Sequence, residues 1–239
     1  MTKKESTSSN PATGWIVAIT GAIIVAYLFS TNADPKSFEA YKFINTGLCL
    51  WMPLMIILLV LRTEPTEFGL TIGDTKIGFR WSFALWLLML IPVIVASRLP
   101  EFKATYLYGY LSQFLEGVGP VYNGIAVNFK SLAYYELSMG FYMFCWEFFF
   151  RGYLLFGLRK LVNNDIWAIV LQTIPFALLH WSWQASASKP GPEVVGSFIA
   201  GIALGFFAFK TRSCVYGFLT HWAVSATLDI LLILHVYHW

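Results

Sequence analysis

The sequence predicts an all-α fold: a polytopic membrane helical bundle of about seven transmembrane helices plus a short interfacial helix. Three observations predict it. Hydrophobic residues make up 57% of the chain and charged residues 12%, about half the roughly 25% charged share of a soluble domain. A soluble fold of this size cannot hide so much apolar surface, so lipid is the solvent that suits the remainder. Second, apolar runs recur that approach the roughly 20 residues a spanning helix needs. Third, aromatics reach 18%, with ten Trp, and Trp and Tyr concentrate at membrane interfaces. A net charge of +3 with scattered basic residues lacks the clustered footprint of a nucleic-acid binder.

Taken in order, residues 1–13 form a polar tail expected to be disordered. Residues 14–239 form a single helical membrane domain. The first apolar run, Gly14 to Phe29, is a retained helix rather than a signal peptide, since further spans follow instead of a soluble domain. The other predicted spans are Tyr41 to Leu61, Phe79 to Ser97, Leu132 to Leu158, Ile166 to Trp183, Val194 to Phe209 and Cys214 to Val236. Tyr106 to Leu115 is apolar but too short to cross, and reads as an interfacial helix or a packed extramembrane turn. Cys49, Cys145 and Cys214 sit in or beside apolar runs without CxxC spacing, as small hydrophobes do.

Seven spans put the termini on opposite sides. A cytoplasmic N-terminus places Lys3, Lys4, Arg62, Lys76, Arg80, Arg159, Lys160, Lys210 and Arg212 inside. Outside lie Lys36, Lys42, Arg98, Lys103, Lys130 and Lys189. That bias favours a multi-pass protein with its N-terminus in the cytoplasm and its C-terminus opposite. In the sixth span Ser197, Gly201 and Gly205 recur every four residues and line one face, where small side chains allow close helix packing. Internal packing is the expectation, a dimer face the alternative.

Ionisable residues at bilayer depth are costly and therefore face inward, pair or work. Glu147 and Arg151 lie four apart on the fourth span, on one face, spaced as an ion pair. Glu136 and Gly140 share that face approximately. His180 ends the fifth span. His221 opens the seventh, with Ser225 and Asp229 following at one-turn and two-turn offsets. At about 1.5 Å of rise per residue, Glu147 lies about 16 Å, His180 about 21 Å and His221 about 10 Å from the cytoplasmic ends. Those depths allow one shared, water-accessible pocket. A desolvated carboxylate can deprotonate water, and a neutral histidine can orient that water or donate to an oxyanion. The same three residues are also ordinary zinc ligands, but no HExxH is present to favour metal, and no GxSxG supports a serine nucleophile. No cofactor is expected; zinc on Glu147, His180 and His221 is the alternative.

These residues resemble the motifs of the CAAX-protease and bacteriocin-processing (CPBP) family of intramembrane peptidases. The family's first motif is two adjacent glutamates, three residues, then Arg and commonly Gly. Here it reads Trp146-Glu147-Phe148-Phe149-Phe150-Arg151-Gly152. The second, Phe-x-x-x-His, reads Phe176 to His180. The third, His-x-x-x-Asn, begins at His221 and has Ser225 in the Asn position. The resemblance covers residues 132–236. It implies an intramembrane endopeptidase that hydrolyses a peptide bond with glutamate-activated water. Glu147 and His180 would handle the water, Arg151 would pair Glu147, and His221 would serve the oxyanion. The implied partners are membrane lipid and a peptide or lipidated-peptide substrate.

Two positions depart from the pattern. Trp146 stands where the family's general base is expected, and an indole has no basic lone pair. Ser225 offers one hydroxyl where a carboxamide offers two donors. The alternative is therefore a catalytically inactive relative, serving as a scaffold or an integral subunit of a larger membrane complex.

Overall fold

The computed structural model describes residues 11–32, 37–111, 129–181 and 191–236, and those residues are helical with short connectors. Helix α1 runs Pro11–Asn32. The last residues of the predicted tail, Pro11 to Thr13, are thus its first turn, because proline is well placed where a helix begins; residues 1–10 lie outside the described residues. Helix α2 is a continuous rod from Phe38 to Leu61 that alternates α-helical turns with wider π turns over Gly47–Trp51 and Ile56–Leu61. Helix α3 spans Thr75–Arg98 and is opened by Asp74, whose carboxylate accepts from the Ile77 N–H at 2.9 Å, an N-cap that satisfies an otherwise orphaned donor.

Helix α4 joins Pro100–Phe102 to a π-helical Lys103–Tyr110. The sequence allows this short apolar segment to lie at the interface or to pack. It packs: Leu107 and Leu111 are buried in a cluster with Tyr135, Leu232 and Ile233, while residues 112–115 lie outside the described residues. Helix α5 is the longest, with α-helical Phe129–Glu147 and Leu155–Val162 flanking a π segment at Phe148–Leu154. Helices α6 (Asp165–His180), α7 (Gly191–Thr211) and α8 (Val215–Val236) complete the bundle.

Five described helices are long and apolar enough to cross a membrane: Pro11–Asn32, Glu39–Leu61, Thr75–Arg98, Gly191–Thr211 and Val215–Leu234. The predicted fourth and fifth spans differ from these for separate reasons. Helix α5 carries an ion pair at its middle. Helix α6 has only 16 residues, and the predicted end of that span at Trp183 lies outside the described residues.

Helix α5 is the axis of the bundle. From Cys145 to Leu155 every position is buried, the pattern of a helix with neighbours all round. Helices α1, α2, α6 and α8 pack on it. Two close approaches depend on glycine. A Cβ on Gly14 would come within 2.7 Å of the Leu161 backbone, and one on Gly157 within 2.5 Å of Val17. Helices α6 and α7 form another tight pair, and α8 lies along α3, where Trp86 donates to the Thr227 hydroxyl at 3.0 Å. The outer face of α3 stays apolar and exposed, including Phe79, Phe83, Leu88 and Ile91, as a lipid-facing helix requires.

One end of the bundle gathers the start of α1, the α2–α3 connector, the α5–α6 connector and the α7–α8 connector. The Cys214 N–H donates to the Gly69 carbonyl at 2.9 Å, and the Asp74 N–H to the Thr211 carbonyl at 3.2 Å. Lys160 pairs with Glu67 at 2.7 Å. Its hydrogen bond, with a second from Thr63, holds the Glu67 carboxyl below the usual glutamate range. Gly73 is required here: its φ is +57°, and a Cβ would fall 2.1 Å from the Thr211 carbonyl oxygen.

Candidate functional site

The site is built on α5, α6 and α8. Glu147 is fully buried at the junction between the α-helical and π-helical parts of α5. Its Oε1 lies 3.2 Å from Arg151 Nη1 and 2.9 Å from His221 Nδ1. The Arg151 contact is an ion pair without hydrogen-bond alignment. The guanidinium, also fully buried, lies with its Cζ 3.8 Å from the Phe176 ring centroid, a cation–π arrangement that offsets part of the cost of burying the charge. Glu147 Oε2 faces Gly217, where an added Cβ would sit 3.0 Å away. Helix α8 can therefore approach the carboxylate only because that position carries no side chain.

A cavity of about 300 Å³ opens beside this cluster. His180, His221, Ser225 and Trp146 line it, and Glu147 does not. The two candidate histidines thus converge, with the Phe176 ring 4.6 Å from His180 and 6.4 Å from His221 between centroids. His180 Nδ1 lies 2.8 Å from the Phe176 carbonyl one turn back, which directs the other ring nitrogen away from its own helix. His221 spends Nδ1 on Glu147. The carboxylate expected to activate water instead sits behind the wall, held by Arg151 and His221.

Trp146 occupies the wall. Its indole is 5% exposed and donates to Asn45 Oδ1 at 3.1 Å. Asn45 in turn exchanges two amide hydrogen bonds with Asn32, at 2.9 and 3.1 Å, and donates to the Tyr41 carbonyl at 2.7 Å. This polar knot ties α1, α2 and α5 together and fixes the ring plane. Asn45 escaped the sequence reading, although a lone amide inside the apolar run Tyr41 to Leu61 is the kind of intramembrane polar residue that marks a site. Glu193 also lines the cavity and accepts a short hydrogen bond from the Tyr106 hydroxyl. Its place in the first turn of α7, far from the motifs in sequence, gave no signal.

The remaining candidates lie elsewhere. Asp229 shares the helix of His221 but is turned toward Glu136 and Tyr135, with which it hydrogen-bonds. Glu136 also accepts from Trp222 Nε1 at 3.3 Å. This carboxyl pair is separate from the cavity wall. Gly201 and Gly205 face α6: Cβ atoms there would lie 2.6 Å from Thr173 and 3.0 Å from Gln172. Their stripe is thus used inside the chain. Ser197, also buried, lies at the cavity wall. Among the described residues no three His, Cys, Asp or Glu side chains gather closely enough to hold a metal ion.

No curated protein matches the chain, and no solved structure does. A family model does match, over the helices that carry Glu147, His180 and His221. Residues 128–227 match the model described as "Type II CAAX prenyl endopeptidase Rce1-like", a similarity consistent with the CPBP intramembrane peptidases.

Proposed function

We propose that this integral membrane protein keeps the CAAX-protease-type fold as a binding chamber and does not hydrolyse peptides. The observation that carries the reading is the exchange at the cavity wall. The first motif position presents the Trp146 indole, locked by Asn45, while Glu147 is drawn back to Arg151 and His221. A general base must come within hydrogen-bond reach of the water it deprotonates. A fully buried carboxylate that does not line the cavity has no such reach. The wide apolar outer face, α3 above all, suits contact with lipid or with a neighbouring membrane subunit, and the basic bias of the connectors favours a cytoplasmic N-terminus.

Hydrolysis is the second reading, favoured by one observation: His180 and His221 both face the same cavity. Reconstitution in proteoliposomes with a farnesylated CAAX peptide separates the two. Binding without hydrolysis predicts tripeptide release no faster than in protein-free vesicles. Release by the wild type that is lost in Glu147→Gln overturns it.

A further inference from the structure

We propose that the cavity selects an amphiphile with a quaternary ammonium head. The proposal deepens the binding reading and rests on it only in taking the cavity as a ligand site. The lining carries seven Phe, Tyr and Trp side chains, two histidines and three methionines, and no Lys or Arg among the described residues. Tyr41, Tyr142, Trp146 and His180 run as one aromatic wall, with successive ring centroids 5.5, 5.6 and 5.9 Å apart. Phe102 and Tyr106 add a stacked pair at 5.9 Å, and the Tyr106 hydroxyl is anchored on Glu193, the one carboxylate in the described lining.

Ring faces carry negative potential, and aromatic cages are a recurrent way to hold methylated ammonium groups, which need no hydrogen bonds. Methionine sulfur adds polarisable contact. The nearest buried cation, Arg151, does not offset this field, because it is paired with Glu147 and stands behind the Phe176 ring. A peptide ending in a free carboxylate meets no Lys or Arg among the described lining residues. A trimethylammonium head on an alkyl chain meets aromatic rings and a carboxylate. The volume, about 300 Å³, is at the small end of ligand pockets, which start near 300 Å³. It therefore suits a head group and the first methylenes, with the rest of the chain outside it.

The test is saturable binding of an alkyltrimethylammonium probe to the full chain in neutral detergent. It is compared with the uncharged analogue in which carbon replaces nitrogen, and with the alkyl carboxylate of equal length. Quenching of tryptophan fluorescence and titration calorimetry both report it. The ammonium probe should bind about tenfold more tightly than its uncharged analogue, and the carboxylate more weakly still. Glu193→Gln should weaken the ammonium probe severalfold and leave the uncharged analogue unchanged. Tyr142→Phe should retain binding and Tyr142→Leu lose it, with thermal melts confirming that both are folded. Equal affinity for the charged and uncharged probes, or tighter binding of the carboxylate, overturns the proposal. Competition by a choline phospholipid would identify a lipid head as the source of the ammonium, and its absence a free cationic amphiphile. A chain that cleaves CAAX peptide yet shows this selectivity would refute the non-hydrolytic reading and leave the ligand class standing.

Discussion

Side chains at membrane depth are informative here because a buried charge needs a compensating one. Glu147 and Arg151 form a fully buried ion pair to which His221 adds a hydrogen bond, and removing either charged member leaves the other uncompensated. Arg151→Met should destabilise the protein by about 3–5 kcal/mol. The double variant Glu147→Gln/Arg151→Met should recover much of that loss, since the amide still accepts from His221. Unfolding followed by fluorescence in detergent measures both, and a double variant as unstable as the single one would disprove the charge argument. At this scale the sequence was legible in part. The spacing of Glu147 and Arg151 predicted their pair, and the third-motif His221 lies beside it. The direction of Glu147 was not legible. It is set by the π turn beginning at Phe148 and by the bare Gly217 on another helix, and neither shows in a pattern of residue types. Asn45 was hidden differently: its meaning comes from Asn32 and Trp146, 13 and 101 residues away.

Between helices, small residues decide where backbones meet. The α6–α7 pair closes over Gly201, with the Gln172 amide donating to the Gly201 carbonyl at 2.9 Å. Gly201→Ala should cost about 1–3 kcal/mol by overpacking against Thr173. Gly196→Ala, on the same helix with open space at its Cβ, should be neutral or slightly stabilising. Mass measurement of the purified protein should show the same oligomeric state for both, because the stripe is occupied within the chain. Equal effects of the two substitutions would mean that helix propensity, not the close approach, governs the position. The stripe itself was legible from its four-residue spacing. Which surface it meets was not, since α6 supplies Ile169, Gln172 and Thr173 from a helix whose own pattern is simply apolar.

For the whole molecule, the all-α membrane class followed from composition, because lipid is the solvent that accepts this much exposed hydrocarbon. The alternation of helices was legible as well, although of the predicted crossings α5 carries a buried ion pair and α6 is shorter than an ordinary span. The paired connectors at one end give the topology a direct check. Cysteines placed at Glu64 and Asn164 should react with a membrane-impermeant thiol reagent from the same side, and a cysteine at Glu101, beyond the far end of α3, from the other. Labelling of all three positions from one side would require a different arrangement of crossings.

The hydrogen bonds that join the Gly69 and Asp74 connector to Thr211 and Cys214 bear on how the chain is made. During synthesis α3 enters the bilayer long before its partner strip exists, since well over a hundred residues separate the two connectors in sequence. The carbonyl of Gly69 and the N–H of Asp74 therefore depend on the later α7–α8 connector for their partners. The last helix pair acts as the clasp. Until it is made, the Gly69 carbonyl and the Asp74 N–H lack these native partners, so this closure depends on a contact between segments far apart in the chain.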